Sequence, residues 1–436
     1  MRRDVPALVG AVALAFGCNA GVRPDSDAGV DQDAADAHEA DAATEDAGDL
    51  GESTSDADAA PDGPPEADAD LGESDVVWWT PTTDCDARSA DPPAWVAPPC
   101  GAGCRQVATA ADPYGQFAAS ERWLAYQSWW HTWVVDLTTG AETILFCHPE
   151  FLGSYGLGIS ANGAAYALNT HFPAEGREVD YAALWATDLD TGRQWAAAEW
   201  VKPYDSGNTD LFALAVSGRY AALGIDDIVG TDPGSRHGDI YSINLDTRIV
   251  NRVSDLGWPC CFGWPDIGGN WVVYTTIAAV FAYDIEHGIT IGPEIPGDQW
   301  WPRTDGGRMV WLDHRNYPGG YGRGGSWDIY AYDLTLETEL RITTTVPVRE
   351  KAAPDILDDV VVWSDGRFAT AEEPHHSDLF MYRFSTGREE QITFASGAAR
   401  WPKLTADAVY FNWVPSPEPD PDTANHALCA QTVPPP

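Results

Sequence analysis

Gly325–Thr345 reads G-S-W-D-I-Y-A-Y-D-L-T-L-E-T-E-L-R-I-T-T-T. Ile329, Ala331 and Asp333 alternate with Tyr330, Tyr332 and Leu334, so successive side chains face opposite sides of a strand. Asp333 to Thr338 is polar and turn-like, and Glu339–Thr343 alternates again. The stretch predicts a β-hairpin.

The hairpin recurs. Its counterparts are Trp133–Gly140, Leu184–Gly192, Asp239–Thr247, Val280–Gly288 and Asp378–Gly387. The turn-start residues are Asp136, Asp188, Asn244, Asp284, Asp333 and Arg383, spaced by 52, 56, 40, 49 and 50 residues. An apolar strand precedes each hairpin, as in Trp271–Tyr274, Met309–Leu312 and Val360–Trp363. Before that strand the chain often carries Trp-Pro or Ala-Pro-Asp: Trp264-Pro265, Trp301-Pro302, Ala353-Pro354-Asp355 and Trp401-Pro402. Units of four short strands at this period predict an all-β fold, a β-propeller, because one small sheet cannot bury both faces alone.

The pattern Pro-Asp-Ile, Val-Val-Trp, then Asp-Ile-Tyr-x-Tyr-Asp-Leu resembles the TolB-like propeller family. The match is closest over Trp264–Phe394 and looser over 105–263. The resemblance implies partnership within envelope assemblies, although the chain lacks the α/β domain that accompanies the propeller in TolB. Trp327-Asp328 is a literal WD dipeptide, yet it opens a strand without the Gly-His of WD40 repeats.

Seven units are expected, opening near residues 112, 151, 208, 262, 299, 351 and 398, within a propeller spanning 104–433. The last unit lacks a fourth strand. Cys104–Thr109 (C-R-Q-V-A-T) is similar to the fourth strands of other units, so the N-terminal end is expected to close the ring. Cys104 and Cys429 would then lie on adjacent strands and could form a disulfide. The competing reading pairs Cys100 locally with Cys104 or Cys85.

The chain has 436 residues, 20 tryptophans and a formal net charge of −42. Such a surface repels nucleic acid and anionic membranes, and favours cationic partners. Residues 21–75 hold 19 Asp/Glu against one Arg. Residues 19–76 have almost no large apolar side chain and are expected to form a disordered acidic tether. Residues 77–103, with Trp78, Trp79 and Trp95 among prolines, form an ordered lead-in.

Arg2 and Arg3, the apolar run Val5–Phe16 and Ala15-Phe16-Gly17-Cys18 resemble a bacterial lipoprotein signal over 1–18, with Cys18 as the lipidation site. Cleaved secretion is the alternative. The location implied is the cell envelope, as an outer-membrane or cell-surface lipoprotein, or else the periplasm or medium. Eight cysteines fit an oxidising compartment.

No motif commits the chain to a chemistry. Gly320–Gly325 satisfies G-x-G-x-x-G but precedes a strand, so no helix N-terminus is there to hold a phosphate. Cys260-Cys261 has no Cys/His pair at zinc spacing nearby. His375-His376 reads as a loop or a metal site. Asp313-His314-Arg315 and Ser364-Asp365-Gly366-Arg367 recur after a tryptophan, which favours a structural role.

Trp264, Trp301 and Trp401 recur before proline and read first as packing between blades or around the axial funnel; the alternative is that they are ligand-binding aromatics. The expectation is a non-enzymatic, monomeric binding or scaffold module without a cofactor. It would take an envelope protein or a glycan and touch the membrane only through its lipid. The alternative is a polysaccharide lyase or hydrolase, whose test is whether His148, His171, His237, His314 and His375 converge at one mouth.

Overall fold

The computed structural model of the chain describes Cys100, residues 103–108 and most of 117–434. Residues 1–99, 101–102, 109–116 and 435–436 lie outside the described residues, as do the connections 129–130, 148–155, 161–162, 172–178, 204–208, 229–235, 255–264, 277–278, 294–298, 317–326, 345–350, 395 and 416–426. The signal, Cys18, the acidic tether, most of the lead-in, Cys85, Cys260-Cys261, Trp264, His148 and Gly320–Gly325 therefore fall outside them. All described residues belong to the unit Val77–Pro436.

The described residues form seven four-stranded antiparallel sheets and no helix. The sheets are the blades of a propeller. Their first strands are Phe117–Ala119, Leu157–Ile159, Thr209–Ser217, Asp266–Gly268, Gln299–Thr304, Lys351–Leu357 and Gly397–Leu404. Each first strand touches the first strands of the two neighbouring blades, and that of blade 7 touches that of blade 1, so these strands ring the axis. The apolar clusters lie between blades. Val310, Leu312 and Ile329 of blade 5, for example, pack on Ile356, Val361 and Trp363 of blade 6.

The expected closure is present. Arg105–Gln106 pairs with Ala427–Thr432 and supplies the fourth strand of blade 7. The disulfide joins Cys429 to Cys100, with 5.9 Å between the Cα atoms, which corrects the expected Cys104–Cys429 bridge. The register gives the reason. Gln106 stands opposite Cys429, so Cys104 falls two residues short and its thiol meets Gln431 Oε1 at 3.4 Å. Cys104 is free, and burial raises its thiol pKa.

The turns leaving the third strands share one design. The side-chain oxygen of Asp136, Asp188, Asn244, Asp284 or Asp333 accepts the backbone N–H groups two and three residues on. Each turn ends in the left-handed region, at Gly140, Gly192, Arg248, Gly288, Glu337 and Gly387. These turns are tight. At the opposite ends of the strands the described connection 366–377 is long.

Candidate functional site

The long-connection face is where the polar side chains gather, and blades 5 and 6 show how. The second strand of blade 5 ends in Trp311-Leu312-Asp313, followed by Arg315. The indole Nε1 of the wholly buried Trp311 donates to Asp313 Oδ2 at 2.9 Å, and Arg315 donates to the same carboxylate at 2.5 Å and to Glu339 at 2.9 Å. The guanidinium lies 4.2 Å from the Tyr330 ring centroid. Burial works against the charge on Asp313, yet Arg315, the indole and the Arg315 backbone N–H outweigh it and hold the pKa low.

Blade 6 repeats the arrangement. Trp363 Nε1 donates to Asp365 at 3.2 Å, Arg367 bridges Asp365 and Glu389 at 2.6 Å each, and Phe380 lies 3.8 Å beneath the guanidinium. A second device also recurs. Thr343 Oγ1 donates to Asp328 and accepts from the Ile329 N–H, while Thr393 does the same for Asp378 and Leu379. These groups hold strand ends in register, as their recurrence in the sequence suggested.

Lys351 is the exception. It opens the innermost strand of blade 6, opposite Asp365, and is 2% exposed. Burial lowers its pKa, against the opposing pull of Asp365 and Asp328. The equivalent residue of blade 5 is the neutral Gln299, which donates to Asp313 at 3.0 Å and accepts the Val280 N–H at 2.9 Å.

The axis carries a second asymmetry. One register position of the innermost strand holds Ala118, Gly158 and Ala215 in blades 1 to 3, then Asp266, Arg303, Asp355 and Lys403 in blades 4 to 7. Asp355 accepts the Leu404 N–H at 2.7 Å and pairs with Lys403 Nζ at 3.2 Å. Its pKa is raised by burial despite Lys403.

Trp301 and Trp401 stand on β-bulges of the innermost strands, at φ 51° and 53°, with Ala353 and Ala213 in the same place at 47° and 54°. The Trp-Pro and Ala-Pro marks therefore encode a bulge. Trp301 packs against the cluster between blades 5 and 6. Both tryptophans are half-buried.

The described histidines are spread over the blades. His171 ends the second strand of blade 2, and His237 lies in the third strand of blade 3. His314 lies 5.1 Å from the Trp327 ring in blade 5. His375 is exposed beside blade 6, while His376 pairs with Asp378 at 3.0 Å. Among the described residues, no group of three His, Cys, Asp or Glu side chains is placed to hold a metal ion. The sequence reading missed Lys351, whose one signal was a lysine at a strand start in a chain with three.

No protein-family model and no curated protein matches the sequence. Solved structures do match the fold. An oligogalacturonate lyase in complex with manganese is 14% identical, with a TM-score of 0.50, over 78% of this chain and 95% of that one. The propeller domain of the trilobed protease of Pyrococcus furiosus is 11% identical, with a TM-score of 0.49, over 76% and 94%. TolB from Acinetobacter baumannii is 14% identical, with a TM-score of 0.38, over 70% and 67%. The chain is a seven-bladed propeller with TolB proteins among its structural neighbours. At 14% identity the likeness shows the fold alone and selects no activity.

Proposed function

We propose that the protein is an exported, lipid-anchored, monomeric propeller that binds an envelope protein or a glycan on its long-connection face without transforming it. The observation that carries this reading is the repetition of the Trp-Asp-Arg-Glu buttress in blades 5 and 6. Catalysis needs one asymmetric constellation, whereas the acids and bases of this buttress are used alike in the two blades, on holding strand ends. What the face offers a partner is long connecting segments on a rigid scaffold, the usual placement of binding residues. With a formal net charge of −42, a protein partner recognised electrostatically is cationic.

The test is a pull-down from envelope extract with the full chain, beside thermal shifts with divalent ions and a glycan panel. A saturable envelope partner, or a glycan recovered unchanged, supports the reading. Turnover of a polysaccharide, or a large stabilisation by one ion that turnover requires, replaces it with an enzyme. Cys18→Ser tests the anchor: the variant is expected to move from the membrane to the soluble fraction.

A further inference from the structure

The register of the third strands exposes one position that breaks the repeat. The residue before the turn start faces the preceding blade. It is Val135, Ile243, Tyr283, Tyr332 and Tyr382 in blades 1, 3, 4, 5 and 6. These side chains pack against their neighbours' sheets. In blade 7 it is Gln431, and in blade 2 it is Thr187, opposite the small Ala165.

A cleft of about 300 Å³ lies there, between blades 1 and 2. It reaches the tight-turn face, away from the long connections. Its polar lining is Asp136, Thr143, Thr187, Asp188 and Gln194, and its apolar wall includes Trp123 and Leu189. Thr187 is 2% exposed, and its hydroxyl has no hydrogen-bond partner. That oxygen is itself closed to solvent, so it is the small size of the side chain that opens the cleft.

We infer that this cleft is a binding site for a small neutral polyol, such as one sugar residue. The chemistry of the lining selects that class. Asp136 and Asp188 are held ionised, chiefly by hydrogen bonds from Thr138 and Thr191, so they offer acceptors and repel anions. A further cation meets competition: Arg122 already lies 2.9 Å from Asp190 and 3.4 Å from Asp136, over the Trp123 ring at 4.4 Å. Hydroxyl groups both donate and accept, so they suit the carboxylates, Thr143 and Gln194 together. The C–H groups of a sugar ring match the apolar Leu189 surface. The volume is at the small end of ligand pockets, enough for one ring.

The site is separate from the face on which the proposed function rests, so either reading can fail without the other. The experiment is isothermal titration calorimetry of the full chain with glucose, galactose, N-acetylglucosamine and myo-inositol, with putrescine as the cationic comparison. At least one polyol is expected to bind saturably in the millimolar range. Thr187→Tyr places in blade 2 the residue that blades 4, 5 and 6 carry, and should weaken binding at least about tenfold while keeping or raising the thermal midpoint. Thr187→Ile, after blade 3, is the second variant if the tyrosine is too large. The inference is overturned if no polyol saturates, if both folded variants bind as the parent does, or if putrescine alone binds.

Discussion

Lys351 shows how far a single side chain departs from what its surroundings favour. Its ammonium is buried within blade 6, and desolvation outweighs the pull of Asp365 and Asp328. The folded pKa therefore lies below the unfolded one. The penalty for holding the charge is fully present below the folded pKa, and it fades as pH rises from there toward the unfolded value near 10.4. Lys351→Met keeps the stem and removes the charge. Because Asp365 and Asp328 keep Arg367 and Arg341, it is expected to stabilise the protein by about 1 kcal/mol at neutral pH, an advantage that shrinks in alkali. Chemical denaturation across pH checks this; a clear loss of stability at neutral pH would show that the carboxylates need the ammonium. The composition hinted at such a residue only through the scarcity of lysine. Burial at a strand start depends on the neighbouring blade, which periodicity does not describe.

At the scale of the element, the hairpin turn was the legible unit. Alternation located the third strands, and the turn-start Asp or Asn residues proved to accept the N–H groups that reverse the chain. The turn's last residue is glycine in four blades but Glu337 in blade 5, at φ 53° with its side chain exposed. A left-handed non-glycine residue costs about 1–2 kcal/mol, partly offset by the entropy glycine loses on folding. Glu337→Gly should therefore stabilise by up to about 1 kcal/mol, read as a shift in the denaturation midpoint without change in slope. The Trp-Pro mark was visible as a mark, but its meaning was not. A bulge is a relation between two strands, and Trp301 shows it only where Trp300 and Arg303 lose register against Leu312 and Val310.

The whole molecule was legible in its count of blades and in the strand that closes it, because both follow from repeats along the chain. The covalent seal was not. Similarity to other fourth strands identified Arg105–Gln106 as the closing element, yet a shift of two residues decides which cysteine faces Cys429. Cys100→Ser should therefore abolish the bridge, and Cys104→Ser should leave it intact, as non-reducing peptide mapping will show. By chain entropy, a link across 329 residues stabilises by roughly 6 kcal/mol, so Cys100→Ser should also lower the unfolding midpoint sharply.

The placement of that bridge also sets a load path. Tension applied anywhere before residue 100 reaches Cys100 before it reaches the two-residue closing strand, and passes through sulfur to Cys429 in the middle of blade 7. The weakest strand of the ring is thereby spared. Pulled from its N-terminal side in a force spectrometer, the oxidised protein should resist as a closed ring, and the reduced protein should unzip from Arg105 at much lower force.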